Sequence, residues 1–295
     1  MATTSPNADA RPGTAESPRP RRGRATLGMI KACHAEPTAA VTLVSVLLAF
    51  AAGRGAGGAA VVGVTVLATQ LSIGWTNDWL DARRDIASGR TDKPIVAGLI
   101  SRRAVGVGAI VAGLAVVPLA LASGPAAALV ITIAYVFGLL YDWPLKSTPL
   151  SVLPYLVSFG LLVAFPIVGR AHDRVPPWWL VVAGALLGGG AHFANVLPDL
   201  DGDISTGVRG LPHRIGRRAS TITAAAALLA ATGVLVFGPT RSPSWPALLA
   251  FAAAVVVLPT GWYLGRRPGS RAPFRSVLIV AMIDIILLLT TGHLS

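Results

Sequence analysis

Long apolar stretches alternate with short charged ones along this chain. A membrane-crossing helix needs about 20 mainly apolar residues. Nine segments fit: Thr38–Gly53, Gly55–Thr76, Ala104–Ala122, Pro125–Tyr141, Leu150–Gly169, Trp178–Leu197, Ala219–Gly238, Trp245–Gly265 and Arg275–Thr291. The first is short, with His34 and Glu36 just upstream of it. Runs of Ala, Val, Leu and Gly favour helices over barrel strands, which would show a weak alternation over about ten residues. The expectation is an all-α polytopic membrane protein with nine transmembrane helices. Residues 31–295 form the membrane domain in this reading, and 1–30 a disordered basic cytoplasmic tail rich in Pro, Arg, Ser and Thr. No apolar run with a cleavage site stands near the start, so no signal peptide is expected.

Composition sharpens this. Of 295 residues, 53% are apolar and 13% charged, about half the roughly 25% charge of a soluble domain. That is too little to cover a cytosolic enzyme of this length. One cysteine, Cys33, excludes a disulfide framework and any cysteine-based metal site. The net charge of +12 does not indicate nucleic acid, because the charges fall in short clusters between apolar segments. With the N-terminus in the cytoplasm, 21 of the 25 Lys and Arg residues lie inside, leaving Arg54, Arg170, Arg174 and Arg241 outside. This bias orients the chain in the cytoplasmic membrane, with its C-terminus outside.

The acids are concentrated too. Asn77-Asp78-Trp79-Leu80-Asp81 continues to Asp85, and Asn195-Val196-Leu197-Pro198-Asp199 continues to Asp203. Both share the skeleton Asn-x-x-x-Asp-x-x-x-Asp, and both leave an apolar segment on its cytoplasmic side. A spacing of four puts Asn77, Asp81 and Asp85 on one helix face, and likewise Asn195, Asp199 and Asp203, with Asp201 off that face. Asp78 adds a fourth ligand to the first row. Like charges at this spacing destabilise a bare helix, and carboxylates at membrane depth cost more. Surface decoration does not explain two copies. Cations between the rows do, and oxygen-only ligands point to Mg²⁺ shared with a diphosphate. The metal ligands expected are Asp78, Asp81, Asp85, Asp199 and Asp203.

Basic residues follow each row: Arg90 and Lys93 after the first, Arg209 after the second, and Lys146 in the loop Tyr141-Asp142-Trp143-Pro144-Leu145-Lys146. Arg and Lys here suit the diphosphate oxygens that metal leaves free. Arg217 and Arg218 are read as topology charges only. His192, three residues before Asn195, faces the same chamber in this reading. Asp284, alone in the last segment, is assigned an interhelical hydrogen bond.

These motifs resemble the UbiA superfamily of intramembrane prenyltransferases, of which 4-hydroxybenzoate polyprenyltransferase is one type. The N-D-x-x-D-x-x-x-D signature matches Asn77, Asp78, Asp81 and Asp85, and the second D-x-x-x-D matches Asp199 and Asp203 after Asn195. Arg90, Lys93 and Pro94 match a further stretch, as do Tyr141, Pro144 and Lys146. The resemblance implies two pseudo-repeated four-helix halves plus a ninth helix, and a Mg²⁺-bound prenyl diphosphate with its tail in the apolar core. It implies an allylic cation attacked by a lipid-soluble, aromatic or quinone-precursor acceptor. Asp78, Asp81, Asp199, Lys146 and Tyr141 are the implied catalytic residues, with Asn77, Asn195, Arg90, Lys93, Arg209 and His192 binding substrate. Members that use aromatic acids often start their first helix with Arg-Pro. Here Lys31-Ala32-Cys33-His34-Ala35-Glu36-Pro37 stands instead, which argues against a 4-hydroxybenzoate-type acceptor.

A terpene cyclase of the same fold is the rival reading. A transporter would place acids near the bilayer midplane on broken helices, and a CDP-alcohol phosphotransferase would show an Asp-Gly-x-x-Ala-Arg motif that is absent.

Overall fold

The computed structural model describes residues 22–168, 175–265 and 272–291. Each of the nine expected segments lies on a helix, and the described residues contain no strand. The helices are α1 (Arg22–Ala32), α2 (Ala35–Ala51), α3 (Ala56–Ala87), α4 (Arg102–Leu121), α5 (Pro125–Asp142), α6 (Leu153–Val168), α7 (Trp178–Val196), α8 (Leu200–Ser205), α9 (Leu211–Phe237), α10 (Trp245–Leu264) and α11 (Ala272–Thr291). Six of them are long and apolar enough to cross a membrane alone, namely α3, α4, α5, α7, α9 and α10. The pair α1–α2, bent by 66°, makes a seventh if taken as one span. The apolar α6 is shorter, at 16 residues, and the 20-residue α11 joins the bundle against α9 and α10.

Local chemistry sets the ends. Pro occupies the first turn of α5, α9 and α10, where its missing N–H costs nothing. Ser101 caps α4 by accepting from the Ala104 amide at 3.1 Å. One correction concerns the N-terminus. α1 begins at Arg22, inside the segment expected to be an unstructured tail; residues 1–21 lie outside the described residues.

Neighbours in sequence pack side by side from α2 to α7, then α7 on α9, α9 on α10 and α11, and α11 back on α2 and α7. Three apolar clusters fill the inside. Val62, Val66, Ile131 and Phe165 join α3, α5 and α6. Leu180, Leu235 and Leu288 join α7, α9 and α11, and Phe193, Leu228, Leu258 and Val280 add α10. The outside is apolar as well: Ile110, Leu114, Leu129 and Val256 are more than 60% exposed. A water-facing surface does not carry such a band, whereas a lipid-facing one does.

Two features position the site. α3 has 32 residues, roughly 48 Å at 1.5 Å per residue, against about 30 Å of hydrocarbon. Its last third therefore overhangs the apolar layer, and that third carries Asp78, Asp81 and Asp85. The second feature is the corner between α1 and α2. His34 there is in the left-handed region, φ 54°, uncommon for a residue with a side chain. The corner rests on Gly74 of α3, where a Cβ would come within 2.7 Å of the Cys33 carbonyl oxygen.

Gly74→Val should therefore lift the corner off α3 and cost about 1–3 kcal/mol, the usual range for overpacking. The thermal unfolding midpoint of the purified protein measures it. Gly57→Ala, where an added Cβ meets nothing within 4 Å, should leave the midpoint unchanged or slightly raised.

Candidate active site

The first acidic row sits on one unbroken helix, and two of its carboxylates meet side chains from three other segments. Asp78, 3% exposed, takes Lys93 Nζ at 2.8 Å and His34 Nε2 at 3.3 Å on the same oxygen. Asp81 takes Lys146 Nζ at 2.5 Å and Arg84 at 2.7 Å. Asp85 is buried, and its carboxylate has no ion pair or hydrogen bond among the described residues. Asn77 donates from Nδ2 to Asp142 Oδ1 at 2.9 Å.

The second row differs from expectation. α7 ends at Val196 and α8 starts at Leu200, so Asn195, Asp199 and Asp203 do not share one helix face. The cause is Pro198, which has no N–H to give to the carbonyl four residues back. Arg217, expected to be a topology charge only, donates to the Leu197 carbonyl at this break at 2.7 Å. Asn195 ends up on the last turn of α7, beside the Tyr155 hydroxyl. Asp199 is exposed in the break, and Asp203 on α8 meets His213 Nε2 at 3.3 Å. The side chain of Asp201 lies outside the described residues.

Arg90 lies within electrostatic reach of both Asp85 and Asp199, and the Tyr141 hydroxyl within reach of both Asp81 and Asp203. Arg90 also holds Asp92 with two hydrogen bonds, 3.0 and 2.9 Å. This clamp keeps the Asp92 carboxyl below the usual carboxylate range and raises the pKa of Arg90 itself. The Arg209 side chain is exposed, while its carbonyl accepts from Arg214 Nε at 2.8 Å.

An aromatic floor lies under the acids. Tyr141 meets Tyr155 edge-on at 4.9 Å between ring centroids, and Tyr155 stacks on Phe159 at 5.9 Å. His192 lies 4.9 Å from Tyr155 and 5.6 Å from Tyr141. Its Nε2 is 3.1 Å from Ser151 Oγ, which also accepts from the Leu211 amide at 2.9 Å. Asp284 accepts from Thr232 at 2.5 Å between α11 and α9, an interhelical bond as expected.

The sequence reading did not pick out Asp142, Tyr155, Ser151 or His213. Asp142 stood within a quoted motif but outside the acidic skeleton. His213 follows Asp203 by ten residues, a spacing with no ligand signature.

The acids supply only oxygens, which suits a hard divalent cation. Lys93 and Lys146 provide the positive charge around them, His213 adds an imidazole beside Asp203, and among the described residues no three His, Cys, Asp or Glu side chains close on one point. The buried Asp85 carboxylate is the donor left over.

A bundle of apolar helices with paired acids and bases at its mouth, beside an aromatic cluster, suits an enzyme that works within a membrane. The chain belongs to the UbiA prenyltransferase family, whose model matches residues 38–283, and it is an intramembrane prenyltransferase. It is 31% identical to digeranylgeranylglyceryl phosphate synthase of Methanopyrus kandleri over 195 residues, 62% of this chain and 68% of that one. Among solved structures, one concerned with digeranylgeranylglyceryl phosphate synthase in membranes has a TM-score of 0.69 at 16% identity, covering 91% of this chain and 98% of that one. A UbiA homologue from Archaeoglobus fulgidus bound to GPP and Mg²⁺ has a TM-score of 0.66 at 15% identity, covering 90% and 99%. One from Aeropyrum pernix gives 0.67 at 20%, covering 86% and 98%. At these identities the structures show the shared fold.

Asp81→Ala and Asp199→Ala should each lower turnover about 10²-fold or more, because stabilising charge is usually the largest catalytic contribution. Glu36→Ala, an exposed acid in the first turn of α2, should stay near wild type. Steady-state rates of the purified variants check this. Full activity in Asp199→Ala would remove the second row from the site.

Proposed function

We propose that the chain ionises a prenyl diphosphate with the help of Mg²⁺ and transfers the prenyl group to a lipid-soluble acceptor. The observation that carries this reading is the set of bases brought to the acids at the mouth: Lys93 on Asp78 at 2.8 Å, Lys146 on Asp81 at 2.5 Å and His213 on Asp203 at 3.3 Å. Asp78, Asp81, Asp85, Asp199 and Asp203 would hold the divalent cations. Bound there, the metal would draw charge off the diphosphate and improve it as a leaving group. The A. fulgidus homologue bound to GPP and Mg²⁺ supports the assignment.

The chain's own residues do the rest. Lys93, Lys146, Arg90 and Arg209 bind diphosphate oxygens. The C1–O bond breaks, and its electron pair leaves with the diphosphate. Tyr141, Tyr155 and Phe159 present ring faces to the allylic cation and keep water from it. His192 and Asn195 orient the acceptor, which forms the new bond to C1 and gives up a proton. The charged mouth faces the cytoplasm in this reading, because 21 of 25 positive charges fall on that side. An ionic head does not cross the bilayer centre unaided.

The acceptor is an aromatic or quinone precursor, which suits the aromatic floor. A glyceryl phosphate acceptor is the second reading, favoured by the M. kandleri relative and by the lack of Arg before Pro37.

Purified protein in lipid, given Mg²⁺, labelled geranylgeranyl diphosphate and each acceptor class, should yield a prenylated acceptor identified by mass. EDTA should abolish the reaction and added Mg²⁺ restore it. Turnover without divalent metal would overturn the metal reading. A cyclic hydrocarbon formed with no acceptor would overturn the transferase reading.

A further inference from the structure

Two rungs tie the segment Tyr141–Lys146 to the first acidic row. Asn77 Nδ2 donates to Asp142 Oδ1 at 2.9 Å, and Lys146 Nζ donates to Asp81 Oδ2 at 2.5 Å. Each rung joins residues 65 apart in sequence. On α3 their anchors, Asn77 and Asp81, are one turn apart on the same face.

The rungs are chemically different. Lys146 brings Asp81 a charge. Asn77 brings Asp142 none, and Asp142 is 8% exposed, with Oδ2 buried and unpartnered among the described residues. Leaving a buried polar atom unsatisfied costs about 1–3 kcal/mol. An apolar pair of similar size would pack here without that cost, so stability alone does not account for Asp142. The mechanism above gives it no part.

A side-chain amide has two unlike ends, an NH₂ that donates and an oxygen that accepts, and an ionised carboxylate only accepts. With Asp142 as a carboxylate, the amide of Asn77 presents Nδ2 to it at 2.9 Å, and its oxygen points away from Asp142. Turned over, the amide would offer its donor end where the acidic row needs oxygen. We infer that Asp142 is a positioning residue: it locks the amide of Asn77 so that its oxygen, rather than its nitrogen, is offered to the cation held by Asp78 and Asp81. This rests on the divalent-cation reading. Outer partners of this kind orient ligands, and their loss typically costs 10–100-fold in metal affinity, roughly.

Mn²⁺ binding to the purified full-length protein tests it, with free Mn²⁺ followed by electron paramagnetic resonance. Asp142→Ala should weaken Mn²⁺ binding about 10-fold or more, and Asn77→Ala about as much. Asp142→Asn can donate as well as accept, so it no longer dictates which end of the Asn77 amide it meets, and its affinity should fall between wild type and Asp142→Ala. The double variant Asn77→Ala/Asp142→Ala should bind no more weakly than Asn77→Ala alone, since the two losses are one. General loosening of the fold would lower affinity in both backgrounds, so a loss confined to chains that keep Asn77 separates positioning from stability. Additive losses, or an Asp142→Asn variant that binds as tightly as wild type, would overturn the inference alone. Absence of Mn²⁺ binding in the wild type would overturn the metal reading and the inference together.

Discussion

A carboxylate taken out of water must be met by positive charge or give up its own, and Asp78, at 3% exposure, imposes that demand at the mouth of the bundle. Lys93 meets it from the loop after α3, and the His34 imidazole stands beside it at the corner before α2. Asp81 draws in Lys146 from the loop after α5. Three separate segments are thus pinned to one turn of α3. The unusual backbone of His34 and the bare Cα of Gly74 both serve that convergence. Losing one partner of a buried pair leaves the other charge uncompensated, so the cap over the mouth and the charges within it stand or fall together.

The two halves meet this demand differently. In the first, the acids ride on a continuous helix that overhangs the apolar layer, and their partners come from elsewhere. In the second, Pro198 ends α7 early, and Asp203 sits on the six-residue α8 beside a buried His213. Asp199 stands exposed in the gap. The repeated sequence skeleton is therefore not a repeated structure: one row rides on an unbroken helix, the other is carried by a break.

Much of this was legible in the sequence. The apolar segments marked the helices because lipid on the outside and packing on the inside both demand apolar residues, leaving polar runs for the ends. The first row was legible because a spacing of four has one meaning on an unbroken helix. The second was misread because Pro198 was counted as a position on the face rather than as the end of the helix. α1 was missed because its Arg-rich composition resembles a tail, whereas Ala32 and Met29 pack against Ile100, Val105 and Trp75. Asp142, Tyr155 and His213 were invisible for another reason. Their roles come from residues far away in sequence, 65 positions in the case of Asn77 and Asp142, and no local spacing encodes such a meeting.

The central claim is that the two acidic rows form one cation site above the aromatic floor. Crystals grown with Mn²⁺ and a non-cleavable thiol analogue of geranyl diphosphate test it most directly, through the anomalous signal of the metal. The account predicts Mn²⁺ peaks between the end of α3 and the Asp199–Asp203 segment, with oxygens of both rows as ligands. Metal bound to one row alone, or a diphosphate seated without metal, would contradict it.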